Sequence, residues 1–376
     1  MSEKERFLNV LSGEPVDRPP FIAPGALILE PFAEALTRGF KLEKLKSSPD
    51  ALAELSLFMR KEAGFENVGM PFLIRLESAS YHGEPDEVFS GSKPLEFAYP
   101  LKDVSDYKGL SQNKEPLRLG LDTIRILSSK AKDTPVIADV CGPVSLAASL
   151  LDGKTLLKSM AKDPLGTRGL LEFLAKNTVA YAVALKKNGA DAVFISDNFS
   201  TALTLGKPFF REYALCYLNV LCGAIREAGC LSIVHLCSDV TGLTNEIKDL
   251  RADCVSVDSE TSLRPLKAAL PGKRIMGNIK VTPFYKGGLG GIKAEAFSVL
   301  PRPTPLGVGA PKGETEGISG NSPLDVRQEV SAFKENLPDP CLMPAGASII
   351  GPSCGITREA RLSCFREVKD ILSGYL

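Results

Sequence analysis

Cys230-Leu231-Ser232-Ile233-Val234-His235-Leu236-Cys237 decides how the rest of the chain is read. It is an apolar run of strand length that ends on an imidazole and a thiol. Alternate residues of a strand point to the same side, so His235 and Cys237 project together from its end. The chain has only two histidines, which makes one placed two residues from a cysteine informative. A third soft ligand is available at Cys354, inside the Gly/Pro turn Gly351-Pro352-Ser353-Cys354-Gly355. Three protein ligands of N and S type suit catalytic zinc, which keeps a fourth position for water or substrate. Free cysteines also pack as small hydrophobes, and spacing alone leaves both readings open. Cys354 joins the other two only if the fold brings it back.

Outward from this run, similar short stretches recur. Strands are expected at Pro20–Pro24, Asn67–Leu76, Pro135–Cys141, Ala192–Asp197, Leu231–Cys237, Cys254–Asp258, Arg274–Asn278 and Cys341–Ala345. Longer helical patterns at Leu156–Asn188, Pro208–Ala228 and Ser322–Asn336 separate them. Strands alternating with helices build parallel sheets, and eight of them fit an α/β fold of the (β/α)8 TIM-barrel type. An N-terminal helical extension over about residues 1–19 precedes it, and long loops lie on the catalytic face; the chain reads as one domain over 1–376. Barrel active sites lie at the C-terminal ends of strands. Here those ends are polar, at Asp139, Asp197, His235, Asp258 and Asn278. Cys354 follows the last strand, so ring closure returns it to the first two ligands. After strand two, Ser80-Tyr81-His82-Gly83 reads as a turn, with His82 a turn or surface histidine rather than a ligand. The Gly/Pro-rich stretch at about 283–321 follows strand seven and reads as a lid, a docking loop or a plain insertion.

Composition narrows the class. Lys+Arg and Asp+Glu both number 45, so no basic excess suggests nucleic acid or an anionic membrane surface as partner. No run approaches the length of a membrane span, and the start Met1-Ser2-Glu3-Lys4-Glu5-Arg6 does not read as a signal peptide. Nine cysteines, an odd number without a secretory pattern, do not read as a disulfide framework. A cytoplasmic enzyme with metal-binding thiolates is expected.

With these residues in view the chain resembles the uroporphyrinogen decarboxylase superfamily, and within it the methylcobamide:coenzyme M methyltransferase branch. The marks are Gly13-Glu14-Pro15-Val16-Asp17-Arg18-Pro19-Pro20, Met70-Pro71-Phe72 leading to Glu77, Gly142-Pro143, Asp197, His235-x-Cys237, Gly277-Asn278 and Gly351-Pro352-Ser353-Cys354-Gly355. The decarboxylases carry Arg-Gln-Ala-Gly-Arg near their N-terminus to bind tetrapyrrole carboxylates. This chain has Phe21-Ile22-Ala23-Pro24-Gly25-Ala26-Leu27-Ile28-Leu29 there, and an apolar segment cannot neutralise carboxylates. The Gly/Pro-rich stretch is also longer than the methyltransferase branch usually carries.

The resemblance implies a zinc-dependent methyltransferase moving a methyl group from a methylated corrinoid, free or on a small corrinoid protein, to a thiol such as coenzyme M, as in methanogenesis. Zn2+ would be held by His235, Cys237 and Cys354. Glu77 and Asp197 are assigned catalytic roles. Either carboxylate could fill the fourth metal position before substrate arrives; Asp197 could instead orient the His235 ring or cap a helix. Gly142 and Asn278 are expected on the cofactor. Three alternatives stay open: methyl transfer to or from tetrahydrofolate, a decarboxylase-like lyase without metal, and a non-catalytic partner of a corrinoid protein.

Overall fold

A computed structural model describes residues 1–28, 33–70, 76–82, 99–281, 348–353, 356 and 360–373. Its centre is a parallel sheet of six strands in sequence order: β1 (Val68–Gly69), β2 (Val136–Cys141), β3 (Ala192–Ser196), β4 (Leu231–Leu236), β5 (Cys254–Val257) and β6 (Arg274–Met276). Each run is short, β-branched and buried on both faces, as strands covered by helices outside and a core inside must be. The two edges are joined by single-residue parallel bridges, Met276 to Ile349 and Ile350 to Phe21. Phe21 in turn accepts the Glu66 N–H at 2.7 Å. The Asn67 side chain serves as a further rung there, accepting from Ala23 N–H at 2.8 Å and donating to Ala23 O at 3.0 Å. The result is the expected (β/α)8 barrel, strong through β2 to β5 and held at its seam by isolated bonds.

Strand alternation separates two cores. Ile137, Phe194, Ile233, Cys254 and Met276 form the barrel interior with Ile22 and Ile349. Phe7, Val10 and Leu11 of the N-terminal helix Glu3–Ser12 join the same cluster, so this helix plugs the barrel's N-terminal end. It is well bounded: Ser2 and Glu5 form a capping box, and Gly13 ends the helix at φ 85. The opposite face of the strands, including Ala138, Val140, Val193, Ile195 and Val234, packs on the surrounding helices.

Several expected boundaries shift. The second strand stops at Gly69 in β1, and Leu76 belongs to a helix, Leu76–His82, so Ser80-Tyr81-His82 is helical rather than a turn. The long helix expected over Leu156–Asn188 is two, Gly153–Lys162 and Pro164–Lys187. Asp163 accepts from Gly166 N–H and Pro164 takes the first helical position, a start signal that overrides continuous helical periodicity. The segment expected as Pro208–Ala228 begins in the end of a helix, Ala202–Phe209, and passes through a π-helical turn, Phe210–Leu215, before Cys216–Glu227. At the eighth strand position the bridges involve Ile349 and Ile350. The Cys341–Ala345 strand, the Ser322–Asn336 helix, the 283–321 stretch and Cys354 lie outside the described residues. No described helix is long and apolar enough to cross a membrane.

Candidate active site

The register of the sheet builds a polar row across the inner face of the barrel. Cys141 pairs with Ser196, Ser196 with His235, and His235 with Ser256. Each lies two or four residues beyond an interior apolar residue, namely Ile137, Phe194, Ile233 and Cys254, so all four share that face. The apolar floor gives way to polar side chains within one strand repeat, at the C-terminal end where barrel chemistry is placed.

His235 is fully buried and held on three sides. Its Nδ1 lies 3.0 Å from Ser256 Oγ, its Nε2 3.3 Å from Cys237 Sγ, and its ring stacks on Phe194 with centroids 5.7 Å apart. Cys237 is half-buried one step past the end of β4, and Ser238 follows with φ 63 as the chain turns away. The expected pairing of His235 and Cys237 is therefore present. A tetrahedral zinc with ordinary Zn–N and Zn–S lengths separates two such ligands by about 3.5 Å, so this N/S pair fits one metal ion. Among the described residues no three His, Cys, Asp or Glu side chains converge on a common point; the expected third ligand, Cys354, lies outside them.

Three buried carboxyls surround the row. Glu77 reaches from its helix to accept the Cys141 N–H through Oε2 and the Thr178 hydroxyl through Oε1 at 2.9 Å. Burial pushes its pKa up to about 7, against these two hydrogen bonds. Asp139, in β2, accepts the Ala26 N–H at 3.0 Å, and burial pushes it up to about 8. It ties the apolar 21–28 segment across the barrel interior. Asp197 is fully buried, its Oδ1 accepting the Ser145 N–H at 2.8 Å in the first turn of the Pro143–Leu150 helix. Burial raises its pKa. Of the readings open for Asp197, the helix-capping one matches this geometry; the nitrogen it would have oriented, His235 Nδ1, is held by Ser256 instead.

Gly142 is required by packing. A Cβ there would lie 2.3 Å from both Cβ and Cγ of Asp197, so only glycine lets β2 end against that carboxylate. Asn278 is buried, and its Nδ2 donates to the carbonyls of Asp258 at 2.8 Å and Thr261 at 2.7 Å. It fixes the loop after β5 beside the site. Cys141 contributes its backbone N–H to Glu77, while burial raises its thiol well above the ordinary range. Ser256, Thr178 and Ser145 escaped the sequence reading. Ser256 alone had a signal: it stands two residues before Asp258, on the inward face of its strand.

The family model for uroporphyrinogen decarboxylase (URO-D) matches residues 2–307. The chain belongs to the uroporphyrinogen decarboxylase family. Among curated members similar to it is the methylcobamide:CoM methyltransferase MtbA of Methanosarcina acetivorans, 27% identical over 280 residues, 73% of this chain and 82% of the relative. The MtbA of Methanosarcina mazei is 26% identical over 312 residues, 79% of this chain and 88% of the relative. A uroporphyrinogen decarboxylase of Chloroflexus aurantiacus is 23% identical over 365 residues, 92% of this chain and 100% of the relative. Among solved structures, a methyltransferase from Methanosarcina mazei superposes with TM-score 0.78 at 19% identity, covering 100% of this chain and 99% of that one. That likeness bears on the fold alone, and it supports the barrel.

Proposed function

We propose that this family member is a methyltransferase that moves a methyl group from a methylated corrinoid to a thiol such as coenzyme M, with His235, Cys237 and Cys354 holding zinc. The observation that carries the reading is the approach of His235 Nε2 to Cys237 Sγ at the end of β4, in a chain whose similar curated relatives include methylcobamide:CoM methyltransferases. Zinc bound there would supply Lewis acidity that keeps a coordinated thiol deprotonated near neutral pH, where a free thiol is only a few per cent thiolate.

The protein's own groups have separable tasks. His235 and Cys237 project together because they are two residues apart at a strand end, and Ser256 and Phe194 hold the imidazole plane. Glu77 is a proton-holding carboxyl poised near neutrality at the Cys141 amide. Cys141 lies two strands from His235, about 10 Å at ordinary strand spacing, so a catalytic role of Glu77 would reach an incoming thiol only through an intervening group. Gly142 and Asn278, just past the C-terminal ends of β2 and β6, are the groups expected nearest the corrinoid. A small corrinoid protein is the expected carrier of the methyl donor, the 283–321 stretch a candidate docking surface, and tetrahydrofolate the alternative methyl partner.

Against the decarboxylase-like alternative, residues 21–29 carry no arginine to receive tetrapyrrole carboxylates. Phe21, Ile22, Ala26 and Leu27 are buried, and Ala26 spends its N–H on Asp139. The test is zinc content per chain in protein purified without chelator, for wild type and for Cys237→Ser and Cys354→Ser. About one zinc in wild type and a loss in both variants, with unfolding midpoints retained, supports the centre. Zinc-free folded wild type, or an active zinc-free Cys354 variant, overturns it.

A further inference from the structure

We infer that Ser256 is a positioning residue of the proposed metal centre: its hydroxyl, set beside Nδ1 by strand register, holds the ring plane of His235 and accepts the Nδ1 proton when Nε2 faces the metal. The inference rests on the zinc reading above and extends it to a residue on the neighbouring strand.

A neutral imidazole has one N–H and one lone pair. If Nε2 and Cys237 Sγ are to share one ion, the lone pair belongs at Nε2 and the proton at Nδ1. A buried N–H then requires an acceptor. Ser256 Oγ lies 3.0 Å from Nδ1 and is itself fully buried. The two residues are direct register partners of β4 and β5, so the backbone ladder, not a mobile loop, sets their separation. Ser232 in β4 and Asp253, just before β5, add a second crosslink at the start of these strands, where Asp253 Oδ2 accepts from Ser232 N–H at 2.8 Å. Phe194, stacked on the ring at an interplanar angle of 23°, limits the remaining rotation. A hydroxyl at this place can accept Nδ1–H without adding negative charge beside the Cys237 thiolate.

Second partners of metal-bound histidines contribute about 10–100-fold to metal affinity. The experiment is zinc affinity, measured by chelator competition with wild type, Ser256→Ala and Ser256→Thr, with circular dichroism on each as a check of fold. Ser256→Thr keeps the hydroxyl and suits a strand. Wild type is expected to bind about one zinc, Ser256→Ala to bind it about 10–100-fold more weakly, and Ser256→Thr to stay within a few-fold of wild type. Cobalt(II) substitution gives a second readout, with the thiolate-to-metal absorption shifted in Ser256→Ala and retained in Ser256→Thr. If wild type takes up no zinc, the metal reading falls and the role of Ser256 with it. If wild type takes up zinc and Ser256→Ala matches its affinity and spectrum, the metal reading stands and the role of Ser256 is overturned.

Discussion

At the scale of single residues, the site works by placing groups where burial changes their chemistry. Glu77 is the clearest case. In the folded chain its carboxyl stays protonated up to about pH 7, whereas in an unfolded chain it ionises near 4.5. Between those values the folded state holds a proton that the unfolded state has lost, so Glu77 makes stability fall as pH rises from about 4.5 to 7 and flatten above. Glu77→Gln removes this slope. Urea midpoints of wild type and Glu77→Gln measured across pH 5 to 8 are therefore expected to converge at low pH and separate in favour of the variant at high pH; parallel curves would contradict the burial account. Gly142 makes a steric prediction. A methyl at 2.3 Å from two Asp197 carbons forces β2 or the Asp197 side chain to move, and Gly142→Ala is expected to cost about 1–3 kcal/mol in denaturant unfolding. Much of this was legible at the strand ends: Asp197, His235 and Cys237 all fall where polar residues terminate apolar runs. Ser256 was not, because a serine inside a run reads like any small strand residue until its register partner is known.

At the scale of elements, the ends of the chain are clasped by one buried carboxylate. Glu66, just before β1, is fully buried and binds Arg18, Arg6 at 3.3 Å and Lys369 of the C-terminal helix Leu362–Ser373, besides accepting the Phe21 N–H at 2.9 Å. Burial alone would raise its pKa, but Arg18 and Lys369 outweigh it and hold Glu66 at about 2. A depressed carboxylate contributes stability that is complete above its unfolded value of 4.5 and is lost as pH falls toward about 2. Glu66→Gln strands the cations in a buried place and is expected to cost about 3–5 kcal/mol. Amide exchange of the Leu362–Ser373 helix is expected to accelerate first; exchange rates there equal to wild type would contradict the clasp. The elements also show where sequence patterns mislead. Helical periodicity runs on from Leu156 to Asn188, yet Asp163-Pro164 breaks it because a side-chain acceptor and a fixed φ start a new helix. β1 keeps two residues because pairing with β2 ends at Gly69 and Ile137, while the apolar run continues toward a helix that periodicity cannot separate from strand over so few residues.

At the scale of the whole molecule, a ring of parallel strands makes distant residues neighbours. Cys230–Cys237 was readable as a strand from its own residues. That Ile349 pairs with Met276 and Ile350 with Phe21 was not, because single bridges leave no period in the sequence. The same closure carries the segment leading to Cys354 back between the first and last strands, and the central claim depends on it: His235, Cys237 and Cys354 act together on a thiol that accepts a methyl group from a corrinoid. The direct measurement is absorbance-monitored demethylation of methylcobalamin by zinc-loaded protein with and without coenzyme M, for wild type and Cys237→Ala. The account predicts thiol-dependent demethylation with stoichiometric methylthioether product in wild type and a loss of at least about 100-fold in Cys237→Ala, the scale of a lost metal-assisted activation. Zinc-loaded wild type that leaves methylcobalamin intact in the presence of the thiol, with carrier-bound donor equally inert, would contradict it.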